Sequence, residues 1–189
     1  YFQMFGSELW NLRDFIDVSP VSDIFAKFGI EFELDAEHVT VINAGTIVLL
    51  QIVVSKIVKN IKPLPTMIGG IMFGSAGFLF MALSQNVWVF ILGITVFSIG
   101  EMTCHPKYYS YIGIVAPADK KAVYMGYAFL YGVIGSLVGS NVGGEMYNSI
   151  LTPLKGSPDA APSLRNFWLV FAVLGVFTML ALIVYNKLF

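Results

Sequence analysis

The chain has 189 residues, of which 57% are hydrophobic and 12% charged, and its formal net charge is −1. A soluble domain of this length exposes much of its surface to water, and about a quarter of its residues are usually charged. The composition therefore predicts a membrane protein. A nearly neutral chain also lacks the basic field that binds nucleic acid.

A helix needs about 20 mostly apolar residues to cross the roughly 30 Å hydrocarbon core of a bilayer. Tyr1–Trp10 is too short to cross alone and is interpreted as the second half of a helix. Five longer apolar segments follow, and they predict an all-α protein with the lipid bilayer around it. These spans are Val39–Val58, Thr66–Ser84, Val87–Cys104, Ala122–Val142 and Phe167–Leu188.

The connecting segments predict the orientation of these spans. Two short connections, "KNIKPLP" and "APADKK", are basic, and the topology places them on the same side as the C-terminus. An excess of lysine and arginine marks the cytoplasmic side. We therefore expect a plasma (inner) membrane protein with a cytoplasmic C-terminus. The lysines of this side are Lys56, Lys59, Lys62, Lys107, Lys120, Lys121 and Lys187.

A long acidic connection precedes the first full span, and within it the stretch "DIFAKFG" carries helix signals. Asp23 is a favourable N-cap and Gly29 a favourable stop. Ile24, Phe25 and Phe28 share one apolar face. A short helix at the outer interface and an ordinary loop turn are both compatible with this pattern.

Two pairs of glycines have the spacing that lets helices approach closely in lipid. Gly70 and Gly74 form one pair, and Gly135 and Gly139 the other. Such a face serves either as static helix packing or as a seam along which helices slide or rock. Spacing alone leaves both interpretations open.

Asn43 and Gln51 are polar residues inside the first full span, eight residues apart and on roughly one face. Polar side chains are costly against lipid, so both are expected to face the bundle or a cavity. Contact with a substrate and simple hydrogen bonding between helices both remain open.

Glu101 and His105 stand at the end of the third full span, in "SIGEMTCHPKYYS". Residues four apart share a helix face. A carboxylate within a span can hold a proton or a substrate ammonium, and a histidine titrates near neutral pH. Pro106 removes a backbone hydrogen bond and favours a kink there. An alternative is that Glu101 pairs with Lys107 at the cytoplasmic interface.

Enzyme and metal-site motifs are absent from the sequence. There is no nucleophile elbow, P-loop or HExxH pattern, and the two histidines, His38 and His105, are predicted on opposite sides of the membrane. We therefore expect neither an enzyme nor a metal centre.

The stretch "SIGEMTCHPKYYSYIGIVAPADKKAVYMGYAFLYGVIGSLVG" resembles the tenth and eleventh helices of a major facilitator superfamily transporter. It is most similar to the proton-dependent oligopeptide transporter family, through Gly100–Glu101, Pro106, Ala116–Pro117 and Met125–Gly126. The resemblance runs through the whole chain. It implies the C-terminal six-helix bundle of a twelve-helix fold, with an N-terminal six-helix half in the same polypeptide or in a partner chain.

The resemblance implies a role for particular residues. Glu101 would contact the amino terminus of a peptide and couple to protonation, and Gln3 and Asn43 would line the central cavity. His105 stands where the family usually has a small residue, and Ala128 where it usually has tryptophan. The implied function is proton-coupled secondary transport of small peptides or amine-bearing solutes by alternating access, with the proton as coupling ion and no other cofactor.

Two other functions stay open at this point. The chain could belong to another facilitator-type carrier, for a sugar, a drug or a metabolite. It could also be a membrane scaffold or receptor subunit without transport activity, packed through its glycine faces.

Overall fold

The computed structural model of this protein describes residues 2–188, which are 82% helical and contain no strand, and this confirms the predicted all-α class. Tyr1, the first residue of the predicted half-helix, lies outside the described residues. The helices are α1 (Ser7–Phe15), α2 (Ser19–Ala26), α3 (His38–Val58), α4 (Pro63–Leu83), α5 (Val87–Val115), α6 (Lys121–Ala128), α7 (Leu130–Met146) and α8 (Ala160–Leu188). A 3-10 turn, Phe2–Phe5, precedes α1, and a π turn, Tyr147–Leu151, follows α7.

Within residues 2–188, five helical stretches are long and apolar enough to cross a membrane. They are α3, α4, α5, the stretch from α6 to Leu154, and α8. This is consistent with the membrane protein that the composition predicts. The half-helix predicted at the start of the chain is a 3-10 turn followed by the short helix α1.

Local sequence explains where α5 begins and ends. The Asn86 side chain accepts the backbone N–H of Trp88 at 2.9 Å and so caps the first turn. The helix continues through Pro106 to Val115, whereas the sequence placed the end of the span at Cys104. Ala116 is extended, as expected of a residue that precedes a proline. The polar cluster after Gly100 therefore lies inside a helix and not at its end.

The helix in the long acidic connection begins earlier than the sequence predicts. α2 starts at Ser19, whose backbone N–H donates to Asp17 Oδ1 at 3.0 Å, and Pro20 occupies the first turn. Gly29 has a φ of +72°, the left-handed conformation that glycine adopts without strain. The predicted stop is therefore present at Gly29, but Asp17 and not Asp23 stands at the start.

α4 lies between α5 and α8, and its glycines allow a close approach to α5. A Cβ atom added to Gly77 would lie 2.7 Å from Phe97 Cβ and 2.8 Å from Gly93 O. One added to Gly70 would lie 2.9 Å from Gly100 O. The Gly70–Gly74 face is therefore occupied by a helix of the same chain.

Aromatic side chains fill the interior between α4, α5 and α8. The rings of Phe78 and Trp168 are stacked with centroids 5.7 Å apart, and Phe97 and Phe167 pack against them at 5.2 Å and 5.1 Å. All four side chains are buried. They form one continuous apolar core that holds α5, and with it Glu101, in a defined position.

α3 and α7 carry many large apolar side chains that the chain itself leaves uncovered. Such surface is unfavourable in water and requires lipid or another protein segment. The strongly exposed examples are Val48, Leu49, Ile52, Ile57, Val133, Ile134, Leu137 and Val138. These two helices are therefore the surfaces on which a bilayer or a second helical bundle would lie.

Asp14 ties the end of α1 to the segment between α7 and α8. Its carboxylate accepts a hydrogen bond from the Tyr147 hydroxyl at 2.9 Å and pairs with Lys155 Nζ at 2.7 Å and Arg13 Nε at 2.8 Å. Burial alone would raise the pKa of Asp14, but these three donors outweigh burial and hold the pKa at about 2. The ionised carboxylate is thus the form that fastens α1.

Exchange of Asp14 for asparagine is expected to lower the free energy of unfolding by about 2 kcal/mol at neutral pH, since a charge-assisted network loses its acceptor. Because the pKa of Asp14 is lowered in the folded state, its contribution is complete above its ordinary pKa of 3.8 and is lost as the pH falls towards 2. The midpoints of thermal unfolding of the wild type and D14N should therefore converge in acid. A constant difference across this range would contradict the assignment.

Candidate functional site

The candidate site is a polar group where α3 crosses α5, inside two of the candidate membrane spans. α5 contributes Ser98 and Glu101, and α3 contributes Asn43. Asn43 and Ser98 are buried, and the Glu101 side chain is 18% exposed. The carboxylate is thus shielded by this chain but still accessible from one side.

The Asn43 amide connects the two helices. Its Nδ2 donates to Glu101 Oε2 at 3.0 Å and to Ser98 Oγ at 2.9 Å. The Ser98 hydroxyl in turn donates to the Ile94 carbonyl oxygen at 2.7 Å. Two residues that the sequence marked separately, Asn43 and Glu101, are therefore direct partners in the fold.

His105 lies one turn beyond Glu101 on α5. Its Nδ1 is 3.9 Å from Glu101 Oε1, which is beyond hydrogen-bond range but within the range of an ion pair when the ring is protonated. The imidazole also meets the Tyr131 ring edge-on, with centroids 5.9 Å apart. Oε2 of Glu101 is held by an amide, while Oε1 faces a group that can gain or lose a proton.

Lys107, which the sequence offered as an alternative partner of Glu101, is engaged elsewhere. Its Nζ donates to the carbonyl oxygens of Val58 and Ile61, both at 2.7 Å. These carbonyls lie at the end of α3, where a cation stabilises the unpaired carbonyl groups. Lys107 therefore fastens α5 to the end of α3.

An apolar cavity of about 380 Å³ adjoins the same stretch of α5, but Glu101 is not among the residues that line it. It is enclosed by α4, α5, α7, α8 and the 3-10 turn, and His105 contributes a polar group to its wall. Gly135 and Gly139 form part of the α7 wall, and a Cβ added to Gly135 would lie 2.7 Å from the Phe2 ring. The Gly135–Gly139 pair therefore brings α7 against the 3-10 turn.

Gln3 binds α7 and is not joined to Glu101. It is buried, its Nε2 donates to the Gly139 carbonyl at 2.7 Å, and its Oε1 accepts from Ser7 Oγ at 2.7 Å. A side chain at Gly143 would collide with the Gln3 amide. Gln3 thus joins the 3-10 turn to α7 and to α1 at the wall of the cavity.

Gln51 is also separate from the polar group at Glu101. Its Nε2 donates to Ser55 Oγ at 2.9 Å, one turn along the same helix. Its side chain is only partly buried. The two amides of α3 therefore differ: Asn43 bridges to α5, and Gln51 bonds within α3.

Two further buried polar residues lie on α1, and the sequence analysis did not single them out. Glu8 is 0% exposed and Asn11 is 1% exposed, and neither carboxylate oxygen of Glu8 nor either amide atom of Asn11 has a hydrogen-bond partner. The available signal was an acid and an amide three residues apart in the otherwise apolar "SELWNL".

Within residues 2–188, no group of three or more histidine, cysteine, aspartate or glutamate side chains is arranged to hold a metal ion. The polar group instead offers carboxylate and amide atoms, which suit protons and ammonium groups.

No model of a known protein family matches the chain, and neither a curated protein nor a solved structure is significantly similar to it.

Proposed function

We propose that this chain is the C-terminal half of a proton-coupled secondary transporter of the major facilitator type. It moves small peptides or amine-bearing solutes by alternating access, together with an N-terminal six-helix half. The observation that carries this proposal is the carboxylate of Glu101, inside a membrane span and hydrogen-bonded to Asn43 of a second span. Ionisable residues at such positions usually mark the path of a substrate or an ion.

The chemistry of Glu101 supports a cationic ligand. Oε2 is oriented by the Asn43 amide, and Oε1 is directed towards a histidine at 3.9 Å and not towards a fixed cation. A proton or a substrate ammonium would neutralise the carboxylate and so reduce the cost of enclosing it in a low-dielectric interior. Neutralisation would thus permit the two halves to close around the bound solute.

The exposed apolar faces of α3 and α7 support the proposed second bundle. Facilitator-type transporters bind solute near the membrane midplane between two halves that rock around it. α3 carries Asn43 on one side and exposed apolar residues such as Val48 and Leu49 on another. One helix can thus meet both the solute site and the surrounding lipid.

The test is E101Q in the complete protein, reconstituted in vesicles with an imposed proton gradient. Radiolabelled dialanine and tyramine are the probes for peptides and amines, and a neutral hexose is the probe for a sugar carrier. E101Q is expected to lower proton-driven accumulation at least about tenfold, because a charge-assisted contact is removed. E145Q is the matched control, since Glu145 is an exposed glutamate on α7.

Unchanged proton coupling and unchanged solute affinity in E101Q would contradict the proposed role of Glu101. Hexose uptake in place of dialanine and tyramine uptake would assign the protein to another class of carrier. Absence of uptake of every probe by the wild type would favour the scaffold or receptor function.

A further inference from the structure

Glu8 is a carboxylic acid that the described part of the chain encloses completely. Its side chain is 0% exposed, and both carboxylate oxygens lack a hydrogen-bond partner. Asn11, one turn further along α1, is buried and unpartnered in the same way. An ionised carboxylate without donors or a cation is strongly disfavoured in such a place, whereas a protonated one is neutral and can donate.

Among the side chains of residues 2–188, no cationic group is paired with the Glu8 carboxylate. Arg13 and Asp14 lie five and six residues further along the same helix, and Asp14 is bound to Tyr147 and Lys155. His38, at the start of α3, is hydrogen-bonded to Asp35. Glu101 on α5 has the same sign of charge as an ionised Glu8 and therefore disfavours its ionisation.

We infer that Glu8 is a second proton-binding carboxylate of this protein, sealed within the bundle, while Glu101 receives the ammonium group of the solute. The division follows from access, because a solute can reach a side chain that is 18% exposed but not one that is 0% exposed. A proton needs no such opening. This inference rests on the proposed function of Glu101 and adds the place where the coupling proton is held.

The electrostatic relation of the two acids makes them a coupled pair. Like charges near each other disfavour simultaneous ionisation, so the ionised form of Glu101 favours the protonated form of Glu8. Neutralising Glu101 then makes it easier for Glu8 to release its proton. Binding of solute to Glu101 thus changes the proton affinity of Glu8, although the proton and the solute bind at different residues.

Infrared difference spectroscopy of the complete protein in liposomes, between acidic and alkaline buffer, tests the protonation without any solute. The wild type is expected to show the carbonyl band of a protonated carboxyl that titrates, and E8Q is expected to lose that band. In E101Q the band should persist and titrate at lower pH, whereas in E145Q it should titrate as in the wild type. A band of unchanged size in E8Q would overturn the assignment.

E8D provides a second test that applies even when E8Q does not fold. Aspartate keeps a carboxyl group at a shorter reach, so the band should be displaced but still present. A band identical to that of the wild type in E8D would show that it arises from another acid and would overturn the inference.

Transport measurements distinguish a failure of this inference from a failure of the proposed function. E8Q is expected to exchange dialanine across the membrane without a gradient but to lose accumulation driven by a proton gradient at least about tenfold. Wild-type accumulation in E8Q would overturn the coupling role of Glu8. Absence of proton-driven uptake by the wild type would instead overturn the proposed function, and the infrared result would stand independently.

Discussion

Replacing Gly100 with alanine is expected to separate α4 from α5 and to lower the free energy of unfolding by about 3 kcal/mol. A Cβ atom at this position would lie 2.5 Å from Gly70 O and 2.5 Å from Gly74 N. Both are backbone atoms of a helix, so no flexible side chain can move aside. The two helices must therefore move apart as rigid bodies, and this movement also displaces Glu101 on α5. The midpoint of thermal unfolding in detergent or lipid measures the effect.

G69A is the matched control for G100A. Gly69 lies on the same helix as Gly70, but an added Cβ atom would have nothing within 4 Å. Alanine also favours helix over glycine, so the stability of G69A should equal or exceed that of the wild type. Equal unfolding midpoints for G100A and the wild type would show that α4 and α5 tolerate a wider separation than this packing implies.

Asn43 exchanged for leucine is expected to reduce the apparent affinity for dialanine or tyramine about tenfold to a hundredfold, the value of one or two charge-assisted hydrogen bonds. Leucine is branched at Cγ as asparagine is, but it cannot donate to Glu101 Oε2 or Ser98 Oγ. The carboxylate then loses the group that orients it. Uptake kinetics in vesicles, together with elution of a single species in gel filtration, separate this effect from misfolding.

The same exchange at Gln51 provides the comparison. Gln51 also lies on α3, but its amide donates only to Ser55 of that helix. Q51L should therefore leave the affinity within about twofold of the wild type, since a partly exposed bond within one helix contributes little. Equal losses in N43L and Q51L would mean that both amides face the solute, as the sequence alone allows.

The candidate site was only partly predictable from the sequence. Glu101, His105 and Asn43 attract attention because each is a polar residue inside an apolar run, and the cost of polar groups in lipid makes such positions informative. Their direct contact could not be predicted, because Asn43 and Glu101 are 58 residues apart in the sequence and all of α4 lies between them. Gln3 and Gln51 have the same chemistry as Asn43, and only the packing of α1, α3 and α7 separates their surroundings.

Glu8, in contrast, is a residue that the sequence analysis did not single out. The acid and the amide of "SELWNL" are only a weak local signal, because a glutamate in a short helix usually faces water. Its complete burial depends on side chains from other segments, because Val39, Tyr147 and Leu151 belong to the same core as Leu12 of α1. Burial is a property of the assembled bundle, so it appears only when those helices are in place.

Composition and hydrophobic length were sufficient for the class of protein and for its five candidate spans, since lipid imposes a requirement on each helix separately. Helix ends were set locally in part, by the Asn86 cap and the left-handed Gly29. The continuation of α5 through Pro106, the contact of Asn43 with Glu101 and the enclosure of Glu8 were decided by tertiary structure. Each depends on which side chains meet across helices, and the spacing of residues along one helix does not determine which other helix lies against it.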